Sequence, residues 1–306
     1  MTKTFSCFLL CNLLLIFAQC ENNDQPVDRT YRFQSLITID GRVRTFIVNL
    51  PPDYYESSGA LPLVIGLHGT GGSAEQFERD YGLTQRADNF GFVVVYPDGV
   101  RSDGALKLRT WNAGACCDYA MENNIDDVKF IRELISQVIS DYKIDFKKVY
   151  ITGMSNGGMM AYRLACEIPD KIAAIAPVSC SMMVKEHCNP SRPVPILHIH
   201  SILDEKIPYS GGVGLGGYYY PPVDSVLNIW SDNNVCSDAE IVVDDTRYRY
   251  TKSNCAGDVT IECYVTQDGG HSWPGGLKPR DRSDEPSVVI NTSDLIWDFF
   301  KRYELP

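Results

Sequence analysis

Two hydrophobic patterns recur along this chain. From Phe33 to Val48 apolar and polar residues alternate around Asp40-Gly41, which predicts a β-hairpin at the front of the fold. Leu63-Val-Ile-Gly-Leu67 and Phe92-Val-Val-Val-Tyr96 are fully apolar instead, as expected of strands covered on both faces. Val149 to Thr152, Ile172 to Val178, Val194 to His200, Ile241 to Tyr250 and Val259 to Val265 read as further strands. Helical stripes fall between them. Ala74 to about Asn89 follows a capping Ser73, and the helix opened by Asp126-Asp127 carries Val128, Ile131, Leu134, Ile135, Val138 and Ile139 on one side. Met159 to Glu167, Val223 to Asn233 and Asn291 to Tyr303 complete the helices, and Val100 to Asn124 reads as one long loop. Strands alternating with helices behind an N-terminal hairpin predict an α/β fold, a mostly parallel central sheet with helices on both faces.

The first twenty residues lie outside this pattern. Phe8 to Ala18 is apolar except for Asn12 and follows Lys3. It is shorter than the about 20 apolar residues a membrane helix needs and suits a signal-peptide core. The expected organisation is a signal peptide over 1–20, a polar tether over 21–30 and a single domain over 31–306. Ala18-Gln19-Cys20 permits ordinary cleavage, hence secretion. Phe17-Ala18-Gln19-Cys20 also resembles a bacterial lipobox, so a lipid anchor on Cys20, at the outer cell surface or in the periplasm, is the alternative.

Composition narrows the class. With 306 residues and 44% hydrophobic content the chain can bury one large domain. A formal charge of −11 speaks against nucleic acid or an anionic membrane as partner, and no protein partner is evident. Eight of the cysteines, from Cys116 to Cys263, follow the leader, and an even number in an exported chain predicts disulfides. Metal binding is the weaker reading, since no C-x-x-C pair or histidine cluster accompanies them. Cys236–Cys255 is the one pair singled out, as a bracket around a short insertion before the last strand.

The chemistry centres on Gly153-Met154-Ser155-Asn156-Gly157, between an apolar strand and a helix. That is the context in which G-x-S-x-G forms a nucleophile elbow, with the flanking glycines leaving room for a strained serine. Three fixed positions also arise by chance in glycine-rich turns, so the surroundings must decide. A serine nucleophile needs a base and an acid that orients the base, in the chain order Ser, acid, His on this fold. Of the five histidines, His271 alone follows every plausible acid, in the glycine-flanked loop Asp268-Gly-Gly-His-Ser-Trp-Pro-Gly-Gly276. Asp204, after the buried run ending at His200, is the expected acid, with Glu205 and Asp268 as rivals. His198 and His200 share one strand face. They are read as buried structural histidines, with His200 near the site, rather than as metal ligands. The oxyanion donors are expected from the N–H groups of Asn156 and Thr70, the latter in His68-Gly-Thr-Gly-Gly72.

These stretches, together with Trp111-Asn112, Cys116-Cys117, Asp126-Asp127-Val128 and Pro208-Tyr209, resemble the secreted feruloyl esterase and polyhydroxybutyrate depolymerase-like esterase family from about Gln34 onward. The resemblance implies an α/β-hydrolase fold, Ser155 as nucleophile, Asp204 as acid, His271 as base, and no cofactor or metal. It implies feruloyl or acetyl esters of plant cell-wall polysaccharide, or hydroxyalkanoate polyesters, as substrates. Enzymes attacking solid polyester usually add a linker and a binding domain, for which this chain has no room, so feruloyl esters are the first expectation. A non-catalytic binding protein on the same fold is the distant alternative. His68, Trp111, Trp273 and Tyr219 are expected to contact substrate, the aromatics by stacking, and Gly211 to Gly217 is read as a mobile loop.

Overall fold

The hairpin signal at Asp40-Gly41 becomes β1 (Arg32–Ile39) and β2 (Arg42–Asn49), antiparallel and paired from Arg32↔Asn49 to Ile39↔Arg42. The computed structural model describes residues 29–306. The signal peptide, the lipobox cysteine and nearly all of the tether therefore lie outside the described residues. Tyr31 to Pro306 packs as one unit.

After the hairpin come β3 (Leu61–Leu67), α1 (Ala74–Asp80), α2 (Leu83–Phe90) and β4 (Val93–Pro97). The helix expected over 74–89 is two helices. Gly82 sits between them at φ +69°, a left-handed conformation in which the chain turns. The long loop after β4 contains a two-residue ribbon, β5 (Val100–Arg101) with β6 (Arg109–Thr110), and a short helix α3 (Asp118–Glu122). Then follow α4 (Asp127–Asp141), β7 (Ile144–Met154), α5 (Asn156–Glu167), β8 (Ala174–Val178) and β9 (Ile196–Ser201). A second ribbon, β10 (Gly212–Val213) with β11 (Tyr219–Tyr220), leads to α6 (Val223–Asn234). The glycine-rich stretch expected as a mobile loop forms this ribbon and is docked by the Leu215 N–H on the Lys206 carbonyl at 2.8 Å. The single strand expected at 241–250 is two antiparallel strands, β12 (Glu240–Asp244) and β13 (Tyr248–Asn254). The chain ends with β14 (Thr260–Thr266) and α7 (Thr292–Phe300).

Ten strands form one sheet in the order β1-β2-β4-β3-β7-β8-β9-β14-β13-β12. The six central strands, β4 to β14, are mutually parallel, and both edges are antiparallel. Successive strand residues face opposite sides. Ile65 and Ile151 pack into one core with α4, α5 and Trp230 of α6. Val64 and Tyr150 pack into the other with Phe77 of α1, Leu83 of α2 and Phe300 of α7. Helices thus cover both faces.

Three disulfides form among the described residues, Cys116–Cys117, Cys166–Cys188 and the singled-out Cys236–Cys255, and Cys180 and Cys263 are buried thiols.

Candidate active site

The strand β7 delivers its last residue, Met154, to a turn in which Ser155 adopts φ 56°, ψ −121° before α5 begins at Asn156. A non-glycine residue holds such a conformation only where its surroundings impose it. Here the Ser155 N–H is bonded to the Val178 carbonyl at the end of β8. A side chain at Gly157 would collide with the Leu67 carbonyl, and one at Gly153 with the Gly157 backbone. Those two glycines let strand, turn and helix approach closely enough to present the serine above the sheet.

His271 lies in the loop after β14, with Nε2 2.8 Å from Ser155 Oγ and Nδ1 2.8 Å from Asp204 Oδ2. An ionised carboxylate can only accept, so Nδ1 carries the proton and Nε2 is free to accept from the serine hydroxyl. Asp204 follows β9, and its side chain is fully buried. Its Oδ1 accepts from the N–H groups of Lys206 (2.9 Å) and Ile207 (2.8 Å). Burial pushes the Asp204 carboxyl up, but the neighbouring His271 and the donors on both oxygens outweigh it and hold the acid well below the usual carboxylate range. The rival carboxylates are elsewhere. Glu205 is exposed, and the Asp268 carboxylate is bonded to Ser287 and the Val288 N–H.

On the other side of Ser155, Gly69 approaches so closely that a Cβ there would stand 3.3 Å from Ser155 Cβ. The N–H groups of Thr70 and Asn156 have no protein acceptor among the described residues, and Asn156 opens a helix, where the first N–H groups lack intrahelical partners. Trp111 joins the two segments. Its main chain is paired with the Asn156 side-chain amide, and its indole N–H donates to the His68 carbonyl at 2.9 Å.

Three of the expected substrate contacts are corrected by burial. His68 is inaccessible, its Nε2 accepting from Gly99 N–H and its Nδ1 meeting the Gly69 carbonyl. Burial lowers its pKa to about 4, so it is neutral at ordinary pH. Trp111 is sealed between His68 and Phe130. Trp273 is buried and stacked on Tyr81 at 4.8 Å. All three wedge the loops they sit on. Tyr219, on the β10–β11 ribbon, is 65% exposed.

One residue beside the triad escaped the sequence reading. Asp284 accepts the His271 N–H on Oδ2 and the Lys206 ammonium on Oδ1, both at 2.8 Å, so it ties the backbone of the base to the loop of the acid. It sits in an aperiodic stretch, and no spacing signal points to it. A cleft of about 640 Å³ opens there, lined by Leu203, Glu205, Lys206, Leu215, Gly270 and Asp284.

An elbow serine, an imidazole and a buried carboxylate at the carboxyl ends of β7, β14 and β9, beside two unpaired N–H groups, define the serine hydrolase class of the α/β-hydrolase fold. An esterase PHB depolymerase family model matches residues 45–196. Probable feruloyl esterase C of Aspergillus clavatus is 30% identical, covering 84% of this chain and 83% of its own length. The chain belongs to this family of carboxylic ester hydrolases. Feruloyl esterase B of Piromyces equi is also 30% identical over 86% of the chain, and the chain spans 46% of its length. Among solved structures, acetyl xylan esterase from Aspergillus awamori superposes with TM-score 0.60 at 17% identity, over 88% of this chain and 99% of that one, a likeness of fold.

Proposed function

We propose that the protein hydrolyses feruloyl esters of plant cell-wall polysaccharide through an acyl-enzyme on Ser155. His271 takes the serine proton as Oγ attacks the ester carbonyl. The oxyanion is received by the N–H groups of Thr70 and Asn156, and Asp204 holds His271 in the required tautomer. The polysaccharide alcohol leaves with the proton from His271, and water then releases the acid by the same base. The observation that carries this reading is the unbroken Ser155–His271–Asp204 hydrogen-bond chain in one buried corner, supported by feruloyl esterases among the relatives. Tyr219 and the exposed Leu203 and Leu215 offer apolar surface for a cinnamoyl ring near the triad loops. Acetyl esters of xylan are the second reading, supported by a 34% identity over 79% of this chain to the bifunctional acetylxylan esterase/xylanase XynS20E of Neocallimastix patriciarum, of which the chain spans 31%.

Disulfides persist in oxidising surroundings, and no described helix is long and apolar enough to cross a membrane. The disulfides accord with an extracellular enzyme released by the leader, or held by lipid on Cys20. Ser155→Ala is expected to abolish turnover of methyl ferulate and p-nitrophenyl acetate. Comparing methyl ferulate with acetylated xylan and hydroxybutyrate oligomers ranks the substrates, and a preference for either of the last two would overturn the feruloyl assignment.

A further inference from the structure

Two histidines that the triad does not use lie directly behind it. His198 and His200 point to the same face of β9, and both are completely buried. His200 Nε2 is 2.9 Å from the Ile207 carbonyl and 3.3 Å from Asp204 Oδ2. Neither of those oxygens donates, so Nε2 carries the proton. Neutral His200 then presents Nδ1 as an acceptor to His198 Nε2–H, 3.2 Å away. That leaves His198 Nδ1 to accept from the Tyr162 hydroxyl at 2.9 Å. Every group has one role, and the chain runs in one direction, from Tyr162 on α5 to Asp204.

We propose that His200 is a positioning residue of the esterase site, its Nε2–H holding Asp204 and the turn that clamps it, with His198 and Tyr162 fixing its tautomer. The proposal rests on the esterase reading above. Asp204 must stay ionised although its side chain is out of water, and a buried carboxylate short of donors takes up a proton or rotates to find one. One oxygen is satisfied by the Lys206 and Ile207 N–H groups, and the other is shared between His271 and His200. His200 also grips the Ile207 carbonyl, so it fixes the peptide whose N–H holds Oδ1. Burial keeps His198 neutral, as the direction of the chain requires. Beside Asp204 and His198, Tyr209 lies edge-on to His200 at 5.7 Å and is bonded to Asp224, while the buried thiol of Cys180 feels the Asp204 charge and that of Cys263 lies beside Tyr209. Across the acid, His271 faces Ser155 and Asp284, the latter paired with Lys206.

His200→Leu removes the donor, and His200→Gln keeps an N–H at the end of the side chain. In the leucine variant kcat on p-nitrophenyl acetate is expected to fall about tenfold to a hundredfold with KM little changed, as for misplacement of a triad group. Its acid limb of kcat/KM should move to higher pH by roughly one unit, because Asp204, less neutralised, stabilises the His271 imidazolium more strongly. The glutamine variant should recover most of kcat. Equal losses in both variants, or a leucine variant with wild-type kcat and pH profile, would overturn the proposal. Should the leucine variant fail to fold, Tyr162→Phe removes the hydroxyl that satisfies His198 Nδ1 at the far end of the chain, and a pH profile superimposable on wild type would equally overturn it. Labelling of wild-type Ser155 by a fluorophosphonate tests the esterase reading separately. Rapid labelling of wild type with unaltered labelling of His200→Leu sinks the positioning role alone.

Discussion

The side-chain amide of Asn156 is paired edge to edge with the backbone of Trp111, Oδ1 accepting its N–H at 2.7 Å and Nδ2 donating to its carbonyl at 3.0 Å. The residue after the nucleophile is thereby tied to a loop whose indole reaches the His68 carbonyl, and so to the other proposed oxyanion donor. The same loop is anchored from below. Asn112 N–H donates to Asp127, whose other oxygen holds Arg44 in a buried ion pair at 2.7 Å. A buried pair of this kind contributes little net stability but fixes geometry through directed bonds.

Asn156→Ala leaves the Trp111 N–H buried and unpaired, costing about 1–3 kcal/mol, and its carbonyl with only the Cys117 N–H at 3.3 Å. The elbow peptide loses its anchor while its N–H remains. We expect kcat to fall by at least about tenfold, the range for a weakened oxyanion donor, with KM little changed. Steady-state kinetics on p-nitrophenyl acetate check this, and a rise in KM at constant kcat would place Asn156 in ground-state binding instead.

Asp204→Asn should lower kcat by about 10⁴, because an amide in place of the carboxylate favours the wrong imidazole tautomer. Glu205→Gln, one position away and exposed, should leave kcat essentially as in wild type. Measuring the two side by side separates the acid from its neighbour.

Stability should decline on mild acidification. The His68 pKa is lowered to about 4 by burial, against 6.5 for the free side chain, and burial also holds His198 well below its ordinary value. Below pH 6.5 the unfolded chain takes up protons that the folded chain refuses. Stability is therefore complete above that pH and is lost as the pH falls from 6.5 toward 4, by about 3 kcal/mol for His68. Thermal unfolding across this window tests the idea, and His68→Gln should flatten the slope. A slope that His68→Gln leaves untouched would assign the effect to other groups.

The ribbon of β12 and β13 projects from the sheet edge with most of β12 exposed, and Cys236–Cys255 closes its base across 19 residues. Replacing both cysteines by serine should cost about 3 kcal/mol and lower Tm by roughly 5–10 °C. Activity at 25 °C should persist, since no triad residue lies in the ribbon. Calorimetry with parallel activity assays reads both.

The residues that the sequence disclosed are those whose chemistry demands a local signature. Gly153 and Gly157 announce the elbow because no other residue fits there, and Asp40-Gly41 announces the hairpin because the turn requires it. His68, Trp111 and Trp273 misled for the converse reason. In an aperiodic loop nothing along the chain records which way an aromatic ring faces, and glycine neighbours suit inward wedges as well as outward platforms. Asp284 is silent in the same way, 13 residues beyond His271 and joined to it only by the path of the loop. The break at Gly82 and the doubling of the strand at 241–250 are turns that single-window periodicity runs across.

Strand order has a last consequence, for how activity arises during folding. β9 and β14 pair in parallel from Ile196↔Ile261 to Ser201↔Thr266, each pair 65 residues apart in sequence, and the elbow sits beyond β8 on a third strand. The nucleophile and base are 116 residues apart in sequence and the acid and base 67, and the closures that unite them are long-range contacts, the slow kind to form. Chemical competence is therefore a late event on the folding pathway, and a nascent chain whose last strand has yet to dock holds an inert serine.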